Sequence, residues 1–332
     1  QKEQLKTFTI GFEDKVFDES HVAGQFAEII NSEHHLIPSS QDELAVLMDN
    51  FFKAYDEPFA DSSALPSLLL NKKVKEHVTV ALSGDGGDES FLGYNHFAWV
   101  RKVSLLFLVP LFFRRLAAYV FPLKLIGKRG HSIKNILLMN NLDEFIESIF
   151  TGFDTLLLKD KKQWMNHFRK YLFLSKNKFQ KTADLNLKLW LESDSNVKVD
   201  RASMAFSVEV RSPFLDYRIV EFARNLPLKY RLKGSLRKRI LRDILSEYIP
   251  KEVFDQPKKG FSVPLADWIR GSFKDEFSKY LKTNRLKSIE NLDIITIQRL
   301  FELHLTTDLD YSAYLWRVYV LSKCIHLNKE QK

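Results

Sequence analysis

Residues 78–89 read VTVAL followed by SGDGGDE, and this run sets the fold class. VTVAL is β-branched and apolar and is bounded by turn signals, as a strand is. It runs straight into a turn that holds Gly84, Gly86 and Gly87 together with Asp85, Asp88 and Glu89. In an open parallel sheet, ligands bind at the carboxyl ends of strands. Glycines at such a place let backbone N–H groups come close to a ligand. Three carboxylates would repel a phosphate, and the conflict disappears if a hard cation such as Mg²⁺ lies between them. A tight turn with solvated acids accounts for the same residues. Neither G-x-G-x-x-G nor G-x-x-x-x-G-K-[ST] occurs in the chain, so any nucleotide site must be of another kind.

Upstream, residues 7–12 (TFTIGF) form a second strand candidate and residues 35–37 a shorter one. Helical patterns separate them. Asp18 is placed to cap a helix carrying Val22, Phe26, Ile29 and Ile30 on one face, and residues 42–55 and 64–75 read as two more helices. Strands alternating with helices of this length predict βαβ units and a parallel sheet. Beyond Gly93 the strand pattern all but vanishes. The rest reads as a helical array punctuated by Pro110, Pro122, Pro213, Pro227, Pro250, Pro257 and Pro264. The expectation is one domain over residues 1–332, α/β over 1–93 and mainly helical over 94–332. The apolar stretch 103–126 is broken by Arg114 and Arg115 after about eleven residues, short of the roughly 20 that span a bilayer, so no membrane span is expected. Buried or groove-lining helices account for it, with attachment at a membrane interface as the alternative.

The chain has 332 residues, 50 lysines and arginines against 42 acids, and a formal net charge of +8. The basic residues are scattered and no nucleic-acid-binding motif is present, so a solvated basic surface explains the charge and no nucleic-acid partner is expected. The single cysteine, Cys324, allows no disulfide within the chain and no cysteine metal cluster. That usage suits a reducing cytoplasm.

Two further segments carry chemistry. Residues 200–216 (DRASMAFSVEVRSPFLD) set Arg201, Glu209 and Arg211 among small and apolar residues, either to clamp a carboxylate or phosphate or to tie a helix and turn together. Residues 256–264 (QPKKGFSVP) hold Lys258 and Lys259 between proline and glycine. Such a loop can bring a cation to developing negative charge, or can simply be a solvated turn.

Taken together and in order, these segments resemble the synthetase domain of glutamine-dependent asparagine synthetases. The resemblance lies in residues 8–14 (FTIGFED) with Asp18-Glu19, 56–63 (DEPFADSS), 82–94, 200–216 and 258–264, and covers nearly the whole chain. It implies an adenine-nucleotide α-hydrolase-like fold of the ATP pyrophosphatase type. It also implies a reaction in which aspartate attacks the α-phosphate of ATP to give β-aspartyl-AMP, which ammonia from glutamine then resolves. By position, Ile10 would touch adenine through its backbone, Ser83 and Gly84 would contact the nucleotide, and Asp88 would hold Mg²⁺. Asp85 would take part in forming the intermediate and handling protons, and Lys258 or Lys259 would stabilise charge. The family's pyrophosphate loop and its glutaminase would precede Thr7, where only six residues stand, and Cys324 cannot replace the glutaminase nucleophile. The expectation is therefore an amide-forming ligase recorded without those segments and inactive by itself. The alternatives are a decayed paralogue serving as a binding or regulatory module, or an amidotransferase for another carboxylate. Ser90 and Leu92 also depart from the family's Leu and Gly in this turn.

Overall fold

The computed structural model describes residues 4–12, 14–15, 18–120, 128–151, 157–159, 175, 177–256 and 263–330. Strand β1 (Lys6–Phe12) pairs in parallel with β2 (Glu33–Ser39), with Ile10 opposite Ile37. Helix α1 (Ser20–Ile29) makes the crossover, and Asn31, at φ 52, turns the chain back toward β2. Asp18 is not the cap residue. Glu19 holds that position, while the Asp18 carboxylate accepts the backbone N–H and the hydroxyl of Ser20 at 3.2 and 2.8 Å.

The helix expected over 42–55 is two helices, α2 (Gln41–Val46) and α3 (Met48–Ala54), broken at Leu47. A capping box starts α2: the Ser40 hydroxyl accepts the Glu43 N–H and the Glu43 carboxylate accepts the Ser40 N–H, both at 3.2 Å. Leu44, Leu47, Met48 and Phe51, spaced as on one helix face, all stay buried across the break. Helix α4 (Ala64–Val74) has eight of its eleven residues buried. A helix apolar on nearly every side belongs in the middle of a fold, and α4 packs on β1, β2, α3 and the Asn196–Met204 helix. It leads into β3 (Val80–Leu82), which pairs in parallel with β4 (Glu209–Arg211).

β4 corrects the expectation that strands end near Gly93: the partner of β3 comes from more than a hundred residues later in the chain. A short antiparallel hairpin, Leu232–Lys233 with Leu236–Arg237, follows. The described residues thus form mixed α/β structure, mostly helical, with small parallel sheets.

One core cluster gathers Phe51, Leu65, Leu68, Trp268, Phe277, Trp316 and Tyr319, with the Phe277 and Tyr319 rings stacked 4.3 Å apart. Cys324 joins this core as a small hydrophobe, and burial pushes its thiol up to about 11. A second cluster holds Leu92, Phe97, Val100, Phe145, Ile146 and Phe179. Leu68 on α4 is 0% exposed, so Leu68→Ala should cost about 2–5 kcal/mol in urea unfolding. Ile295, 84% exposed, should tolerate Ala within about 0.5 kcal/mol. Equal losses from the two changes would contradict this core.

Candidate active site

The loop after β3 is shaped by its glycines and runs into a single helical turn, α5 (Gly87–Ser90). Gly86 has φ 86, and a Cβ there would meet Leu215 Cδ2 at 2.2 Å. Gly93 closes the turn with its N–H on the Asp88 carbonyl at 2.8 Å, and a Cβ on it would lie 1.8 Å from Asp88 Oδ1. Gly84 differs. It is exposed, and no atom lies within 4 Å of where its Cβ would be. Packing therefore explains Gly86 and Gly93, whereas Gly84 is left open on the side where a ligand would approach. Leu92 takes up the left-handed conformation at φ 59 with its side chain fully buried in the second core cluster. The departure flagged in the sequence anchors the turn instead of disturbing it.

The β3–β4 pairing continues into the loop, where the Ser83 N–H donates to the Arg211 carbonyl at 3.0 Å. The Ser83 hydroxyl donates to Asp85 Oδ2 at 2.7 Å and lies 2.6 Å from the Ser212 hydroxyl. The Ser195 hydroxyl donates to the other Asp85 oxygen at 3.3 Å. Two hydroxyls thus fix the orientation of the Asp85 carboxylate. Beside it opens a cavity of about 230 Å³ lined by Asp85, Asn196, Asp200, Ser203, Glu209 and Ser212, among others. Loop 83–89 and segment 200–216, apart in sequence, share this one cavity.

Asp88 Oδ1 lies 2.8 Å from the Lys238 ammonium, so a positive charge stands at the carboxylate assigned to Mg²⁺. The ammonium competes with a metal ion for that carboxylate, and Mg²⁺ commonly takes one or two carboxylates with substrate phosphates and water completing its shell. Among the described residues, no group of three or more His, Cys, Asp or Glu side chains is arranged to hold a metal ion by itself. Lys238 reaches Asp88 from a left-handed backbone, φ 49, which costs on the order of 1–3 kcal/mol for a residue with a Cβ. Glu89 points away from solvent; burial raises its carboxyl above the usual range, and the Tyr94 hydroxyl donates to it at 2.5 Å.

The arginines of segment 200–216 serve structure: Arg201 pairs with Asp56 at 3.0 Å and Arg211 with Glu209 at 2.9 Å. Ile10 does not join the cluster. It lies buried in β1, in the other sheet. Lys258 and Lys259 fall outside the described residues.

Sequence reading missed a buried charge cluster beneath the cavity. Lys198 pairs with Asp61 at 2.8 Å and donates to the Ser63 hydroxyl at 2.9 Å, while the Tyr55 hydroxyl donates to the Lys198 carbonyl at 3.0 Å. Burial pushes Asp61 up, but the Lys198 ammonium and the Ser63 donors more than offset it, so its carboxyl sits below the usual range. Asp194 goes the other way: burial and the neighbouring Asp61 charge raise it to about 7, with Lys198 and Arg317 pulling back. Asp194 and Ser195 end a ten-residue π-helical segment, Asn186–Ser195, inserted between the helices Lys178–Leu185 and Asn196–Met204. Such wide turns recur at functional sites. The sequence signals were the spacing of Asp194 and Lys198, one helical turn apart, and the place of Asp61 and Ser63 in residues 56–63.

Family and relatives are consistent with this geometry. The family model for asparagine synthase matches residues 1–328. Asparagine synthetase (glutamine-hydrolyzing) 1 of Bacillus subtilis is 27% identical over 340 residues, covering 99% of this chain and 53% of that protein. Asparagine synthetase (glutamine-hydrolyzing) 3 of the same organism is 26% identical, over 86% of this chain and 44% of its own length. Amidase chyE of Penicillium rubens is 24% identical, over 87% of this chain and 48% of its length. The chain spans about half the length of these curated relatives.

Two predictions follow from the geometry. Gly93→Ala and Gly86→Ala should each lower the melting temperature, whereas Gly84→Ala should leave it within a degree or so of the parent, about 0.5 kcal/mol or less. A destabilised Gly84→Ala protein would contradict the open position. Asp194, with its folded pKa raised from 3.8 to about 7, stabilises fully below about pH 4 and loses that contribution as pH rises to 7. Relative to the parent, Asp194→Asn should therefore gain stability between about pH 4 and 7 and keep the gain above. Parallel melting curves for the two proteins over that range would show that Asp194 titrates normally.

Proposed function

The chain belongs to the asparagine synthase family, and from that premise we propose that it supplies the ATP-dependent amide-forming site of such a ligase. The observation that carries the reading is the shared cavity, where a glycine turn at the carboxyl end of parallel strand β3 meets segment 200–216 around an oriented Asp85. The fold proposed is the ATP pyrophosphatase type of adenine-nucleotide α-hydrolase-like sheet, and the βαβ unit of β1, α1 and β2 supports it.

In this reading ATP is bound along Ser83 and Gly84, where the open Gly84 position lets phosphate oxygens reach backbone N–H groups. Ile10 would supply backbone contacts to adenine from β1, outside the cavity around Asp85. A carboxylate oxygen of aspartate attacks the α-phosphorus, the new P–O bond forms, and pyrophosphate leaves with the electrons of the broken bond. Ammonia, drawn from glutamine, then adds to the acyl carbon, and AMP leaves. Asp85, held by two hydroxyls, is placed to accept the proton that the attacking ammonia must lose. Asp88 would hold Mg²⁺, which would neutralise phosphate charge when bound, in competition with the Lys238 ammonium. Lys258 or Lys259 would stabilise negative charge on the phosphates or the acyl intermediate. The single, buried Cys324 supports placement in a reducing cytoplasm. A second reading, amide formation on a carboxylate other than aspartate, is favoured by the similarity to a protein named as an amidase.

Three substitutions test the assignment in the longest natural form of the protein. Asp88→Asn should abolish ATP–pyrophosphate exchange while leaving the fold intact. Lys258→Ala or Lys259→Ala should lower turnover by roughly 10² to 10³, the loss typical of one preorganised donor. Unchanged exchange in the first variant, or near-parental turnover in both lysine variants, would remove those residues from the mechanism.

A further inference from the structure

Residues 90–142 hold eight lysines and arginines and no carboxylate, so this stretch alone matches the +8 of the whole chain, and the remaining residues balance at 42 of each sign. Its helices α6 (Asn95–Leu106) and α7 (Leu111–Val120) meet at a sharp bend of 105° around Pro110. α6 buries Phe97, Val100 and Val103 in the second core cluster. α7 is arranged inside out. Its buried residues are Arg114, 3% exposed, and Ala118, while Phe112, Phe113, Leu116, Tyr119 and Val120 face outward, Phe112 at 71% exposure.

Arg114 locks that orientation. Its guanidinium donates to the carbonyls of Val109, Leu137 and Met139 at 3.1, 3.3 and 2.8 Å, and it lies 4.2 Å from the Phe107 ring centre. Rolling α7 to bury its phenylalanines would break these charge-assisted bonds. Leu105, Leu108 and Val109 extend the outward apolar face. Along its margin, Lys102 lies over the Trp99 ring at 5.4 Å and Lys134 over the Tyr119 ring at 5.2 Å, with Arg115 exposed beside them. Next to Leu105 a cavity of about 410 Å³ is lined by Arg101, Lys178, Lys229 and Lys233 with no carboxylate.

We propose that α7 and the end of α6 dock this protein onto the surface of an anionic bilayer. An apolar face with Trp and Tyr at its edge and cations around it matches the layering of such a surface, acyl chains below and phosphates above. The basic cavity takes a headgroup phosphate. Charge disfavours a symmetric second copy on this face, since the cations of Arg101, Lys102, Arg115 and Lys134 would face one another. No single described helix is long and apolar enough to cross a membrane, and the anchoring of α6 in the core fixes the contact as one lying on the surface.

Co-sedimentation of the full chain with vesicles tests this. The parent should bind vesicles of mixed phosphatidylglycerol and phosphatidylcholine, bind pure phosphatidylcholine far more weakly, and release at high salt. Phe112→Ser with Phe113→Ser should weaken binding roughly a hundredfold or more. Lys102→Glu with Arg115→Glu should weaken it on the order of tenfold or more. Leu108→Ser serves as a second apolar variant should the double substitution fail to fold. A parent that ignores the mixed vesicles, or folded apolar variants that bind as tightly as the parent, would overturn the proposal. So would a parent that sediments as a dimer, becomes monomeric on Phe112→Ser and Phe113→Ser, and never binds vesicles.

Discussion

Three residues of parallel pairing, Val80–Leu82 against Glu209–Arg211, hold the candidate site together. Each strand is too short to be stable by itself, and among the described residues each pairs with the other in a two-stranded sheet. Their register nevertheless sets Ser83 beside Ser212 and aims the glycine turn at segment 200–216. What keeps them in register is the burial of α4 before β3 and the packing of the Asn196–Met204 helix on α4 before β4. The site thus depends on a helix–helix contact one layer below it.

That layer carries the charge cluster of Asp61, Asp194 and Lys198. A largely buried ion pair contributes little net stability, but removing Asp61 or Lys198 is costly because the remaining charge is left uncompensated. The cluster ties residues 56–63 to the end of the π-helical segment, and Ser195 carries that position on to Asp85. The carboxylate at the centre of the proposed chemistry is therefore oriented by hydrogen bonds whose donors are themselves fixed from beneath, as precise placement demands.

Much of this was legible in the sequence where a signal is local. VTVAL into SGDGGDE announced a strand and a glycine turn, and residues 64–75 announced a helix where the structure has α4. Pairings that depend on distant residues were not legible. EVR, a three-residue strand with charges at both ends, has too short an alternation to stand out, and only its partner β3 makes it a strand. Lys238 gave no warning that it would reach Asp88, since its left-handed backbone is imposed by the turn around it. The break at Leu47 likewise left no mark in the sequence, since Leu44, Leu47, Met48 and Phe51 keep the i, i+3, i+4, i+7 spacing of one continuous helix face. In residues 103–126 the apolar content was plain, but its outward orientation on α7 was set by the carbonyls that Arg114 finds elsewhere.

The central claim is that loop 83–89 and segment 195–216 form one nucleotide site. Hydrogen–deuterium exchange with and without Mg²⁺ and a non-hydrolysable ATP analogue tests it most directly. The account predicts slowed exchange at Ser83, Gly84 and Asp85 together with residues 195–216, and little change in the α6 and α7 helices. Protection confined to one of the two segments, or absent from both, would contradict it.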